Sequence, residues 1–189
     1  MGHPGNAKAG VAGRQCETGP RATVPVLRPA GAAGRGAAWL AGSVPRLQLG
    51  NVACWVLKST RAPAAVAAHW APGTALELDR CVRRSYRLEL MAAGQPCLLW
   101  VSGRHAPGVH ALGELTGGAV EAEGGPVVGV RLTRLAEPVD RAELLADPVA
   151  REAEVLRMPA GSNPSWLSPA QYAVVLAVAG PVRSSAART

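Results

Sequence analysis

Aromatic side chains are scarce in this chain: phenylalanine is absent, and aromatic residues make up only 4% of the sequence. The five Trp and two Tyr must therefore be used selectively. Long apolar runs are missing too, because no stretch approaches the roughly 18 apolar residues that span a bilayer. Residues 1–30 lack the continuous apolar segment of a secretion signal, since Gly, Pro and Arg interrupt every run. These absences argue against a membrane or secreted protein, and we expect a soluble, cytoplasmic protein with reduced thiols.

Sequence motifs of catalysis and metal binding are missing as well. The chain contains no G-x-S-x-G, no H-E-x-x-H and no Walker lysine loop. Its four Cys are not spaced as C-x-x-C, and no His pair lies near them at zinc spacing. We therefore predict that the protein is not an enzyme and has no catalytic residue, metal site or cofactor. A Cys/His hydrolase stays open as an alternative, with His110 facing Cys81 or Cys97.

Charge and composition divide the chain near residue 50. Residues 1–50 carry most of the formal net charge of +7, whereas the remainder is nearly neutral. The first segment is rich in Ala, Gly, Pro and Arg without periodicity, which predicts a disordered basic tail over 1–50 or a mis-called start. We predict one folded domain over 51–179 and a flexible C-terminus over 180–189. Its many Gly and Pro residues favour short strands and turns over a helix bundle.

Four apolar segments carry the strand signals. Residues 52–58 form a short run rich in strand formers, and residues 96–102 form the continuous apolar run of a strand that is buried on both faces. Residues 109–115 alternate after a tight connection, which predicts the partner of the strand before them. The Val-rich residues 127–133 predict a further strand.

Short helices are predicted between and after these strands. A helix or helical loop covers 60–71, one or two helical turns cover 86–91, and a short amphipathic helix follows Asp140 as its N-cap. After an irregular loop over 159–164, the last helix begins with Ser168 at the N-cap and Pro169 at the first helical position. The order of elements predicts an α+β domain with a twisted or barrelled sheet.

Basic residues gather in one short segment. Four arginines and a tyrosine fall within eight residues: Arg80, Arg83, Arg84, Tyr86 and Arg87. Arginine clusters with an interleaved aromatic combine phosphate contacts with base stacking. A solvated charged turn is the alternative. Trp55 and Trp100 lie in predicted strands, where packing in the core is the default, although with Ser59 and Ser102 they could also supply the walls and donors of a base pocket.

Four sequence blocks follow one another in an order typical of one known family. They are CWVLKST over 54–60, the Val-Arg segment over 80–94, the pair of strands with Ser-Gly and Pro-Gly over 98–115, and VLRMPAGSNPSWLSPAQY over 155–172. Together they resemble the EVE domain, a family of the PUA-like group that is related to the YTH readers of methylated RNA. The resemblance covers most of the predicted domain.

The resemblance implies a PUA-like twisted β-barrel of about five to six strands with short flanking helices. It also implies a pocket for a modified base, such as a methylated cytosine or adenine. Carried over by position, the pocket residues are Lys58, Ser59, Thr60, Cys81, Val82, Ser85, Tyr86, Trp100, Ser102 and Asn163, with Arg83 and Ser165 beside them. The implied phosphate contacts are Arg80, Arg83, Arg84, Arg87 and Arg104.

We therefore predict a non-enzymatic module that binds DNA or RNA carrying a modified base, by stacking and by hydrogen bonds to the base edge. An effector such as a nuclease would act in trans, and the family implies a role in prokaryotic defence. A PUA-like protein-interaction module with a degenerate pocket is the alternative, and a fully buried Trp100 without a cavity beside Ser59 and Ser102 would favour it. The sequence leaves the modification and the type of nucleic acid open.

Overall fold

A computed structural model of the protein describes residues 46–181. The strands in this part are β1 (Cys54–Ser59), β2 (Ala75–Cys81), β3 (Pro96–Val101), β4 (Gly108–Leu115), β5 (Val120–Ala122), β6 (Gly125–Asp140) and β7 (Ser165–Leu167). The helices are α1 (Pro63–Val66), α2 (Arg141–Ala146), α3 (Glu154–Arg157) and α4 (Pro169–Ala179), with 3₁₀ turns at Leu49–Asn51, Tyr86–Leu90 and Ala150–Glu152. The predicted tail and flexible C-terminus fall mostly outside the described residues, and the domain bounds stay a prediction.

The seven strands form one sheet in the order β2-β6-β4-β3-β1-β7, with β5 paired to the start of β6. β1 and β3 run parallel, so that Ser59 lies beside Val101, and the other pairs are antiparallel. The C-terminal ends of β1 and β3 therefore meet at one edge of the sheet, where Ser102 N donates to Ser59 O at 2.7 Å. At Gly113 a Cβ would lie 1.9 Å from Arg131 O, so glycine is what lets β4 approach β6 this closely.

Two apolar clusters, one on each face of the sheet, form the core. Along β1, Cys54 and Val56 belong to a cluster that the helices cover, while Trp55 and Leu57 belong to an inner cluster. We call these the helix-side cluster and the inner cluster. Because both faces are buried, residues 54–57 of β1 and residues 96–101 of β3 are all apolar, which is why these strands appear as continuous runs in the sequence.

The sheet curls strongly. Three strands lie between β1 and β2 in the strand order, yet Arg80 Nη2 near the end of β2 donates to Lys58 O near the end of β1 at 3.3 Å. Strand β6, 16 residues long, supplies Val130 to the inner cluster and Val139 to the helix-side cluster. The α+β class with short helices is confirmed. The strand pairing does not close between β1 and β2, so the predicted closed barrel is not confirmed.

Local capping chemistry predicts two helices correctly. The Asp140 carboxylate accepts from Ala142 N at 2.6 Å at the start of α2, and Ser168 forms a capping box with Gln171 at the start of α4. The helix predicted over 60–71 shrinks to α1, because Trp70 is instead buried in the inner cluster. Within residues 46–181, no helix combines the length and the apolar character needed to cross a membrane.

One strand is longer than the sequence predicts, and another is not predicted at all. β6 extends well beyond the predicted 127–133, because it crosses from one cluster to the other. β7 directly follows the loop predicted over 159–164, where no strand is predicted, and it pairs antiparallel with β1, with Trp166 beside Trp55. A three-residue strand is too short to leave a periodic pattern in the sequence.

Candidate nucleic-acid interface

Asn163 joins the ends of β1 and β2 at the gap that the curled sheet leaves. Its Oδ1 accepts from Lys58 N at 3.0 Å, and its Nδ2 donates to Cys81 O at 2.9 Å. Its backbone carbonyl accepts from Arg83 N at 2.6 Å. A single residue thus satisfies backbone groups of two strands that do not share a ladder. We call Lys58, Cys81, Arg83 and Asn163 the Asn163 clasp.

The Lys58 side chain holds the loop that leads to Asn163. Residues 158–161 form a turn that is closed by a hydrogen bond from Gly161 N to Met158 O at 2.8 Å. Lys58 Nζ donates to Pro159 O at 3.1 Å and to Gly161 O at 3.2 Å within this turn. Two carbonyl groups at the turn are therefore held by one ammonium group, which fixes the turn against β1.

Positive charge gathers around Lys58. Burial lowers the pKa of Lys58, the carboxylate of Glu154 opposes this by raising it, and the guanidinium groups of Arg83 and Arg87 lower it further. Arg83 is exposed, and Arg80 is half-buried with its Nη2 on the Lys58 carbonyl. We call Lys58, Arg80 and Arg83 the basic edge, since all three belong to the ends of β1 and β2 or directly follow them.

Arg87, a predicted phosphate contact, lies inside the protein. Its guanidinium forms a bidentate pair with Glu154 at 2.8 Å for both contacts, and the two side chains are only 13% and 14% exposed. Ser165 Oγ donates to the same carboxylate at 2.7 Å, and Arg87 Nη1 also donates to Pro164 O. Burial raises the pKa of Glu154, but these hydrogen bonds and the positive charges of Arg87 and Lys58 outweigh it and lower the pKa. Glu154 thus occupies the guanidinium of Arg87 in a structural ion pair, and the phosphate contact at this residue stays a prediction.

The other two predicted phosphate contacts are exposed. Arg84 forms a bidentate pair with Glu121 on β5, at 2.6 and 2.8 Å. Arg104 lies in the connection between β3 and β4. Arg61, which the sequence analysis did not select, is exposed just after β1. Because β1 and β3 are parallel, the connections carrying Arg61 and Arg104 begin at the same edge of the sheet.

The aromatic residues of the predicted pocket differ in exposure. Trp100 is 4% exposed and packs in the helix-side cluster with Val56 and Val175. Tyr86 is half-buried at the start of a 3₁₀ turn, and its hydroxyl accepts from Leu47 N at 3.0 Å. Trp100 therefore contributes to the core, and Tyr86 is the aromatic that adjoins the basic segment.

The remaining predicted pocket residues divide between the core and local turns. Val82 is buried in the inner cluster. Ser59 Oγ donates to Arg61 O at 2.9 Å and accepts from Arg61 N at 3.1 Å, so it stabilises the turn after β1. The exposed or half-buried members of the set are Thr60, Cys81, Ser85 and Ser102. The structure thus brings Lys58, Cys81 and Asn163 together, whereas Val82 and Trp100 pack in different clusters.

Two cavities in residues 46–181 lie away from the Asn163 clasp. One, of about 10 Å³, lies beside Trp100 under the helices and is too small for a base. The other is an open groove of about 460 Å³ between β6 and the end of α4, lined by residues that include Arg134, Glu137, Glu143 and Val178. Neither is lined by residues of the Asn163 clasp.

The residues of the Cys/His alternative lie in different environments. Burial, together with the charge of Glu114, raises the pKa of Cys97 to about 12, so its thiol stays protonated at neutral pH. His110 is buried, with Nε2 2.7 Å from Ala106 O. Cys81 is disulfide-bonded, against the expectation of reduced thiols. In the described part of the chain, no group of three His, Cys, Asp or Glu residues could hold a metal ion.

Sequence reasoning missed two residues that shape this region. Glu154 lies in a segment predicted only as a connection, and its partner Arg87 is distant in the sequence, so no local pattern reveals the pair. Met158 is 55% exposed at the turn held by Lys58. An exposed Met between Arg157 and Pro159 is a weak signal that becomes visible only once the turn is placed.

Solved structures share this fold at low sequence identity. A hypothetical protein from Leishmania major aligns with a TM-score of 0.54 and 18% identity, over 70% of this chain and 97% of that chain. The DUF55 domain of human thymocyte nuclear protein 1, an EVE-type PUA-like domain, aligns with a TM-score of 0.52 and 15% identity, over 67% and 98%. The human THYN1 protein in complex with 5-methylcytosine containing DNA aligns with a TM-score of 0.48 and 16% identity, over 68% of this chain and 98% of that chain.

No protein-family model and no curated protein matches this chain. The likeness to the solved structures is therefore one of fold. It places an EVE-type PUA-like domain among the structural neighbours of this chain, in line with the resemblance found in the sequence.

Proposed function

We propose that this chain is a nucleic-acid-binding domain that contacts phosphates through its basic edge and recognises a modified base at the Asn163 clasp. The observation that carries the proposal is the gathering of Lys58, Arg80 and Arg83 at one gap in the sheet. Nucleic-acid-binding surfaces need such local positive charge more than a high overall charge.

The charge balance at the clasp supports phosphate binding. Among the charged groups that shift the Lys58 pKa, Glu154 is the acid, and Arg87 already pairs with both of its oxygens. Around Lys58, the two arginines Arg83 and Arg87 therefore face a single carboxylate. Arg83 is exposed there and is the residue best placed to reach a phosphate.

Recognition of a modified base is the finer part of the proposal. A base that has left its stack needs a flat or apolar surface and fixed polar groups at its edge. Tyr86 is the half-buried aromatic of the basic segment, and exposed Ser85 precedes it. Trp100 is not the surface we propose, because its burial in the core would require repacking of the helices.

Binding of the full chain to matched oligonucleotides tests this function. A duplex containing 5-methylcytosine, the same duplex without it, and the corresponding single strands are titrated at several salt concentrations, with fluorescence anisotropy as the readout. We expect the modified duplex to bind tighter by about 1 kcal/mol, roughly fivefold. Arg83→Gln is expected to weaken binding and to reduce the slope of log K against log salt by roughly 0.9, the value for one phosphate contact.

Arg131→Gln is the matched control. Arg131 is exposed on β6 and pairs with Glu77, so this variant removes the same charge from a site away from the clasp. The basic residues of 1–50 are common to all variants and cancel in the comparison. If Arg131→Gln weakens binding as much as Arg83→Gln, the attraction is one of net charge and the proposed site is wrong. Equal binding of modified and unmodified DNA would contradict the proposed recognition of a modified base.

A second candidate function is a protein-interaction module. The burial of Trp100 favours it, as does α4, which is apolar around its circumference and leaves Leu176 41% and Val178 39% exposed. A chain that binds no oligonucleotide at low salt, in its modified or unmodified form, would favour this function over the first.

A further inference from the structure

Met158 is the exposed apolar residue of the loop that Lys58 and Asn163 hold. It is 55% exposed, directly after α3, and it belongs to neither apolar cluster. An isolated exposed apolar residue needs no explanation by itself. Its position at the clasp is what gives it significance.

We propose that Met158 is an apolar wedge that enters between two stacked bases of a bound duplex and helps to displace the base that the clasp recognises. The inference rests on the proposed nucleic-acid binding and names the residue that opens the stack. Apolar side chains, Met among them, are inserted in this way by proteins that unstack DNA.

The turn beneath Met158 is rigid enough for this role. The Met158 carbonyl accepts from Gly161 N at 2.8 Å, and Pro159 occupies the second position of the turn, where its fixed φ suits the backbone. Lys58 Nζ holds the carbonyl groups of Pro159 and Gly161. A Cβ at Gly161 would lie 2.9 Å from Met158 O, so the turn is packed closely on itself. A wedge on such a turn loses little conformational freedom on binding.

Positive groups lie on both sides of Met158 along the chain. Arg157 precedes it with a side chain that is 67% exposed and lies 3.8 Å from a carboxylate oxygen of Glu152, and five residues after Met158 the Asn163 carbonyl accepts from Arg83 N. Phosphate contacts on either side of an inserted side chain would keep the duplex in place while the stack opens. Leu176 and Val178, which are also exposed and apolar, lie on α4, which carries no Lys or Arg.

The test uses the full chain and a duplex in which 2-aminopurine flanks 5-methylcytosine, because the fluorescence of 2-aminopurine rises when the base leaves its stack. We expect saturating wild-type protein to raise the fluorescence severalfold. Met158→Ala should at least halve this rise at saturation and weaken binding about fivefold, and Met158→Leu should keep both near the wild-type values because leucine also serves as a wedge.

Val178→Ala is the control, since Val178 is 39% exposed on α4 and lines the groove that no residue of the clasp lines. This control should match the wild type in fluorescence rise and in affinity. Circular dichroism and thermal unfolding should be unchanged in all three variants. If Met158→Ala gives the full fluorescence rise at saturation, or if wild-type protein binds without any rise, the wedge is overturned while nucleic-acid binding stands. If the wild-type chain binds no oligonucleotide, the proposed function fails and the wedge fails with it.

Discussion

Two arginines that are three residues apart in the sequence each form an ion pair with a glutamate. The two pairs have nearly the same geometry but lie in different environments. Arg84 and Glu121 make two contacts, at 2.6 and 2.8 Å, and their side chains are 73% and 59% exposed. Arg87 and Glu154 make two contacts at 2.8 Å, and their side chains are 13% and 14% exposed. Contact geometry alone therefore does not distinguish a buried ion pair that stabilises the fold from an exposed ion pair on the surface.

The difference lies in what each pair holds. The exposed pair joins the segment after β2 to the short strand β5. The buried pair joins the 3₁₀ turn at Tyr86–Leu90 to α3, and through Ser165 and Pro164 it also reaches β7. The loop that carries Met158 and Asn163 runs from α3 to β7, so both of its ends are fixed by the same ion pair.

The largest expected effect is that of breaking the buried pair. Arg87→Met should lower the free energy of unfolding by about 3 kcal/mol, because it leaves the Glu154 carboxylate in a poorly solvated site without its main partner. Urea unfolding followed by circular dichroism measures the change. Arg84→Met is the matched control, expected to change stability by no more than about 0.5 kcal/mol, since exposed ion pairs contribute little. Equal effects of the two variants would show that the environments do not differ as described.

The same two arginines show what the sequence can and cannot predict. The cluster at 80–87 is visible as a cluster, but the partners Glu121 and Glu154 lie far along the chain, so nothing local tells a buried arginine from an exposed one. Helix starts at Asp140 and Ser168 are predictable because the capping interaction is local. Strand runs 54–59 and 96–101 are predictable because burial on both faces leaves a continuous apolar pattern.

The candidate site depends both on local sequence patterns and on contacts between residues that are distant in the sequence. Lys58 and Asn163, placed together by the family resemblance, meet in the structure through a hydrogen bond at 3.0 Å. The resemblance places Trp100 and Val82 in one pocket, but they pack in opposite clusters: alternation along β3 puts Trp100 on the helix-covered face, whereas Val82 lies in the inner cluster. The assignment of the pocket itself stays a prediction.

A smaller effect is expected at the clasp, which lies at the loop whose ends the buried pair holds. Asn163→Ala removes the acceptor of Lys58 N and the donor to Cys81 O, and should lower the free energy of unfolding by about 1–2 kcal/mol. Hydrogen exchange at the Lys58 amide should become faster, while amides in the β3–β4 ladder keep their protection. Asn51→Ala, at an exposed position in a 3₁₀ turn, is the control and should leave both quantities unchanged. Unchanged exchange at Lys58 in the Asn163 variant would contradict the clasp.

The smallest of the three effects is the response of the buried pair to acid. The pKa of Glu154 is lower in the folded protein than its ordinary value of roughly 4.3, because the hydrogen bonds from Arg87 and Ser165 and the charges of Arg87 and Lys58 outweigh the effect of burial. A depressed folded pKa means that the ionised carboxylate stabilises the fold fully above the unfolded pKa, and that this contribution is lost as the pH falls through the folded pKa.

Comparison with Glu154→Gln makes this contribution measurable. Glutamine cannot ionise, so the stability advantage of the wild type over Glu154→Gln should be constant near pH 7 and should shrink as the pH falls below about 4. Urea unfolding of both proteins at pH 7, 5, 4 and 3 gives the difference at each pH. Glu121→Gln serves as the exposed counterpart, and its difference from the wild type should be small throughout. If the advantage of Glu154 stays constant down to pH 3, the pKa of this carboxylate is not coupled to folding, and the contrast between the buried and the exposed pair rests on packing instead of charge.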